Sequence, residues 1–171
     1  MRCGTRVALH SRMVALAVQE NEPFDVETDW LSVTMPRSAE LCYELFCDLE
    51  RIPEWLTIVR TAVVCDREVT DRPRNVAFLC SLHRATVGYT LEYSYHDRER
   101  RIAWTTPRRA SLRVRGFAHF QELGPRACLM TYALDLSLGR GMPRFDDAAF
   151  AAHATSASMN DFRDFVLREQ R

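Results

Sequence analysis

From Ile58 to Leu138 the chain alternates apolar and polar residues with a period of two, and turn-forming residues interrupt the alternation at short intervals. Nothing else in the sequence restricts the fold as much. The expected strands are Ile58–Val69, Asn75–His83, Thr86–His96, Arg101–Thr106, Leu112–Leu123 and Ala127–Leu138. Asp71-Arg-Pro73, His96-Asp-Arg-Glu, Thr106-Pro107 and Gly124-Pro125 supply the turns between most of them. Connections this short force neighbouring strands to be antiparallel, because a parallel pair needs a crossover of a dozen or more residues. The expected product is a long meander.

The flanks of the meander change period. Asp29 to Met35 alternates and stops at Pro36, a short first strand. Ser38 is placed to cap a helix from Ala39 to Leu49, with Leu41, Cys42, Leu45, Phe46 and Leu49 expected on its apolar face. A second helical turn, ERIPEWL, carries Pro53 near its start. After the break at Gly139–Pro143, residues Phe145 to Arg168 read as one terminal helix, acidic at its start and basic towards its end. Steps of 100° place Ala148, Ala151, Ala152, Thr155, Met159, Phe162, Phe165 and Val166 on one face, with His153, Asn160 and Asp164 opposite.

Composition excludes several functions. The 171 residues suit one domain. Its 23 basic and 23 acidic residues cancel, which argues against nucleic acid as a partner. Every basic residue is arginine, so lysine Schiff bases, pyridoxal phosphate anchoring and P-loop chemistry are ruled out. The apolar stretch Val7–Val18 is too short to span a bilayer, is interrupted by His10, Ser11 and Arg12, and shows no clear signal-peptide cleavage site. Residues 1–28 therefore stand as an arm or lead outside a single domain over 29–171. Cysteines 3, 42, 47, 65, 80 and 128 form no CxxC, read as small buried hydrophobes and suit a reducing cytoplasm. No histidine pair has metal-ligand spacing, and no metal or cofactor is expected.

The terminal helix is uneven. Met159, Phe162, Phe165 and Val166 can fill space against a sheet, whereas Ala148, Ala151, Ala152 and Thr155 cannot. Packed interiors rarely keep voids, so a gap beneath those small residues points to a ligand site; close approach of helix and sheet is the competing explanation. One face of the long strands would supply apolar walls with hydroxyls at Tyr89, Tyr93 and Tyr132.

This order of elements resembles the helix-grip fold of the START-like (SRPBCC) superfamily, which includes polyketide cyclase/dehydrase, coenzyme-Q-binding and Bet v 1-like proteins. PRSAELCYELFCDLERIPEWL resembles the family's opening helices. RIAWTT, GFAHFQELGPRACLMTYALDLSL and MNDFRDFVLRE resemble its later strands and last helix, so the likeness spans residues 29 to 170. The resemblance implies an α+β fold: a curved antiparallel sheet wrapped around a long C-terminal helix, with two short helices after the first strand. It also implies a deep hydrophobic cavity for lipids, sterols, quinones or polyketides.

On that basis the ligand-contact candidates are Phe78, Tyr89, Leu91, Tyr93, Trp104, Ala118, Phe120, Met130 and Tyr132 from the sheet, with Ala148, Ala152, Thr155 and Met159 from the helix. Tyr93, Tyr89 and Tyr132 are the candidates for any proton transfer; a buried tyrosine with a satisfied hydroxyl is the alternative for each. Arg113 and Arg115 would serve only if their strand end turned inward, and otherwise belong to a solvated face. Three functions follow, in order: a carrier or binding protein for a hydrophobic small molecule, an aromatase/cyclase-dehydratase using the same cavity, and a module that binds a protein partner. A titratable centre deep in the pocket would favour the enzyme, and a filled core would favour the partner-binding module.

Overall fold

The computed structural model describes residues 30–82, 85–108, 110, 112–138 and 147–169, without the side chains of 82, 85, 137, 138 and 147–153. The expected arm, 1–28, lies outside the described residues, as do Cys3 and His83.

Seven strands form one antiparallel sheet: β1 (Trp30–Met35), β2 (Val59–Arg67), β3 (Pro73–Leu82), β4 (Ala85–His96), β5 (Arg101–Thr105), β6 (Leu112–Gly124) and β7 (Ala127–Leu138). Their order is β1-β7-β6-β5-β4-β3-β2. The meander is therefore unbroken from β2 to β7, and only β1 pairs out of sequence, with Met35 opposite Cys128 and Trp30 opposite Ala133. Alternation becomes burial most clearly on β6, where Leu112, Val114, Gly116, Ala118 and Phe120 are buried between more exposed neighbours. Irregularities in the β2–β3 register at Val59/Thr61 and Val64/Asp66 bend that edge of the sheet.

Three helices cover the concave face. α1 (Ala39–Cys47) starts at Ser38, whose hydroxyl accepts from the Leu41 N–H at 3.4 Å. A 3₁₀ turn, Leu49–Arg51, leads into α2 (Ile52–Trp55), which has Pro53 in its first turn. α3 (Asp147–Arg168) closes the chain against β7.

Three expectations need correction. α1 ends at Cys47, two residues early, and Leu49 is buried from the 3₁₀ turn instead. Leu41 points outward at 45% exposure, while Ala39, Cys42, Tyr43, Phe46 and Cys47 form the buried stripe at the i, i+3, i+4, i+7, i+8 spacing. The amphipathic tyrosine was the ambiguous member: its ring is buried while its hydroxyl donates to Asp97 at 2.7 Å. Cys65 is exposed on edge strand β2, in contrast to buried Cys42, Cys47, Cys80 and Cys128.

Phe46 holds the layers together. Its ring centroid lies 5.0 Å from Phe162 of α3, 5.5 Å from Trp55 of α2, 5.7 Å from Phe120 of β6 and 6.0 Å from Trp104 of β5. Phe162 is fully buried and also meets Trp55, Phe120 and Phe165. Arg51 fastens the end of α3 from outside, bonding to Glu169 at 2.9 Å and to Glu54 at 2.7 Å. Phe162→Ala is expected to cost about 3–5 kcal/mol, because one truncation removes a ring shared by two helices and the sheet. Urea unfolding with an unchanged m-value checks this; a loss below about 1 kcal/mol would mean α3 is held by other contacts.

Candidate functional site

The candidate site begins at a pair of residues on adjacent strands. Trp104 on β5 lies opposite Gly116 on β6. A Cβ on Gly116 would sit 2.5 Å from the Trp104 ring and 2.6 Å from the Ala133 carbonyl oxygen, so only glycine allows the indole to lie flat against the strand. The Trp104 ring then covers the sheet between Tyr93, at 6.3 Å, and Tyr132, at 5.4 Å. Beyond it, towards the ends of β3 and β4, helices and sheet enclose a cavity of about 100 Å³. A space on that scale takes the bulk of roughly one aromatic ring.

Six of the ligand-contact candidates line this cavity: Phe78, Tyr89, Leu91, Tyr93, Trp104 and Tyr132. Ala118, Phe120, Met130, Thr155 and Met159 are buried but lie outside its wall. The side chains of Ala148 and Ala152 lie outside the described residues. The cavity also takes in Trp55, Leu56 and Val59 near α2, Leu112 and Val114 of β6, and Ala154 and Ser158 of α3, none of which was among the ligand-contact candidates. Ser158 could not be found from periodicity, because a serine on an apolar helix face carries no hydrophobic signal.

The polar groups in this lining are neutral. Burial pushes the phenols of Tyr89 and Tyr93 well above their ordinary range. It raises Tyr132 too, partly offset by a hydrogen bond with Ser158. The Cys80 thiol is also raised by burial and donates to the Tyr89 hydroxyl at 3.4 Å. Tyr93 is 5% exposed, and the buried polar atom of this lining that has no hydrogen-bond partner among the described residues is the Trp55 indole N–H. No carboxylate, imidazole or guanidinium lines the cavity among the described residues.

The other chemistry-bearing residues sit elsewhere. Arg113 is exposed and Arg115 pairs with Asp135 at 2.7 Å on the outer face of β6 and β7. His119 lies on that face too, its imidazole pushed down by burial and by Arg101. No cluster of three metal-ligating side chains occurs among the described residues. No helix there is long and apolar enough to cross a membrane.

Gly116→Ala is expected to push Trp104 off the strand and cost about 1–3 kcal/mol, with a shift in tryptophan fluorescence. An unchanged spectrum at full stability would show that the indole does not depend on this contact. Titration gives a second check. All five tyrosines of the chain, Tyr43, Tyr89, Tyr93, Tyr95 and Tyr132, are raised, with burial the largest cause for each. Below about pH 10 both folded and unfolded states keep these protons, so their contribution is fully present. Above it the unfolded chain releases them first, and stability falls by up to about 1.4 kcal/mol per pH unit for each phenol. Phenolate absorbance should therefore appear together with unfolding; a phenol ionising near pH 10 in the folded protein would contradict this burial.

No family sequence model matches the chain, and no curated protein matches it by sequence. Solved structures do. A START superfamily protein from Mycobacterium smegmatis superposes with a TM-score of 0.74 at 16% identity, over 82% of this chain and 97% of that one. The Zhui aromatase/cyclase from Streptomyces sp. R1128 gives 0.70 at 13% identity, over 85% and 96%. A norcoclaurine synthase point mutant from Thalictrum flavum gives 0.63 at 8% identity, over 85% and 96%. At these identities the likeness is one of fold. Strand order, the paired short helices and the closing helix together place the chain in the START/SRPBCC-like helix-grip fold.

Proposed function

We propose that this protein binds a hydrophobic small molecule, lipid, quinone or polyketide-like, with a ring-sized part of it held between α3 and the sheet, and acts as a carrier or binding protein. The observation that carries this reading is the cavity beside Trp104: apolar walls, a few neutral hydroxyls and no ionised group among the described residues. A carrier needs complementarity without proton transfer, and neutral hydroxyls in an apolar enclosure provide that. Phe78, Tyr89, Leu91, Tyr93, Trp104 and Tyr132 would contact the ligand. Ala118, Phe120, Met130, Thr155 and Met159 would support that wall by packing behind it.

An aromatase/cyclase-dehydratase reaction in the same cavity is the second reading, and the Zhui aromatase/cyclase shares the fold. Its support is the phenol hydroxyls of Tyr89, Tyr93 and Tyr132, proton donors in an apolar pocket. Against it stands the desolvation that keeps all three cavity phenols protonated and leaves no base among the described lining.

Native mass spectrometry followed by denaturing extraction is the direct test. A near-stoichiometric apolar compound is expected to co-purify, or an apolar fluorescent dye to enter the emptied protein. Ala154→Trp, which fills the cavity from α3, is expected to abolish that uptake with melting changed by only a few degrees. Normal uptake by the folded variant would move the site elsewhere. A protein that takes up nothing would favour the partner-binding module.

A further inference from the structure

Resting on that reading, we infer that the cavity takes ligands whose ring-sized apolar part carries a carbonyl-type acceptor, and that the Trp55 indole N–H donates to this oxygen. Trp55 ends α2, lines the cavity and is 4% exposed. Its Nε1 is a buried donor with no hydrogen bond among the described residues. The other buried side-chain atom in that condition, Arg101 Nε, belongs to a guanidinium over the Phe117 ring and lies outside this lining. An N–H kept from water and from protein acceptors carries the cost of its desolvation, and a ligand oxygen removes that cost.

Packing fixes where this donor sits. Phe162 of α3 lies 5.1 Å from the Trp55 ring and Phe46 of α1 lies 5.5 Å from it. A donor held in this way selects for an acceptor at one place on the ligand, here at the α2 side of the cavity. The N–H is closed to water, so a ligand oxygen reaches it through a small displacement of neighbouring lining side chains. The cavity of about 100 Å³ beside them leaves room for that movement. The phenols of Tyr89, Tyr93 and Tyr132 line the same cavity and offer further donors. Affinity for a carbonyl therefore does not by itself identify the indole, whereas the indole's own proton signal does.

Two ring-sized probes of similar shape, acetophenone and ethylbenzene, provide the test, each titrated into the full chain and followed by NMR. The chain has three tryptophans, and the indole signal of Trp55 is assigned by through-space contacts with the rings of Phe46 and Phe162. Acetophenone is expected to move that indole proton downfield of its position with ethylbenzene bound. Trp55→Phe is expected to lower the ratio of acetophenone to ethylbenzene affinity about fivefold, the packing loss being common to both probes. Should that variant fail to fold, the indole signal of the unmodified protein still decides the matter. If both probes shift amide signals of β3 and β4 but leave the indole proton in the same place, the N–H is turned onto the Phe162 ring or otherwise out of reach. That result would overturn the donor role of Trp55 and leave the cavity reading intact, as would an unchanged affinity ratio in the folded variant. If neither probe shifts signals of β3 or β4 up to the solubility of ethylbenzene, the cavity reading itself fails, and this inference with it.

Discussion

Phe46 is the contact on which the other elements depend. A curved sheet and three helices of unequal length have no common axis, and something must set their spacing. One ring in the last full turn of α1 does so, touching α2, α3, β5, β6 and, through Tyr132 at 6.3 Å, β7. Edge-to-face and tilted pairs of this kind add about 0.5–1.5 kcal/mol each beyond the area they bury, and they are directional where aliphatic packing is not. Trp104 can lie flat on Gly116 because Phe46 holds it from above at 6.0 Å. The open volume begins where that set of rings ends.

Much of the fold was legible for a simple reason. Alternation on β6 and β7 records one buried and one exposed face, and turns of two to six residues leave no topology but a meander. The last helix was equally clear in its second half, where Phe162, Phe165 and Val166 are bulky and buried as expected. Legibility failed where side chains are amphipathic or small. The expected apolar face included Leu41 and left out Tyr43, yet tertiary packing reverses them, since the tyrosine ring fits beneath Arg72 and its hydroxyl reaches Asp97. Cys65 was grouped with its buried relatives because composition does not reveal that β2 is an edge strand.

The site was half legible. Period-two reasoning grouped Phe78, Tyr89, Leu91, Tyr93 and Tyr132 on one face, and these residues line the cavity together with Trp104. The same period could not say how far along each strand the packed core gives way to open space. Phe120 shares that face but is covered by Phe46 of α1 and Phe162 of α3, whereas Val114 and Leu112, further along β6, line the cavity. Depth along a strand depends on where the helices cross it, a tertiary distance that local periodicity does not encode.

The tyrosines of β4 show how the fold turns repeated residues to different uses. Tyr89, Tyr93 and Tyr95 follow one another on the inner side of a single strand. Tyr95 marks the closed end: its hydroxyl donates to the Pro73 carbonyl at 2.6 Å, Arg72 lies 5.4 Å over its ring, and Arg72 is in turn held by Glu44 and Asp97. Every polar atom named there has a partner, so that end excludes water without needing a ligand. Tyr89 at the other end accepts from a thiol, a weak donor, and keeps its own proton available. Tyr93, between them, has neither arrangement among the described residues. Three identical side chains on one strand thus run from one tied into a polar network, Tyr95, to two that line the cavity, Tyr89 and Tyr93, while the buried polar atom of that lining without a hydrogen bond among the described residues is the Trp55 indole N–H.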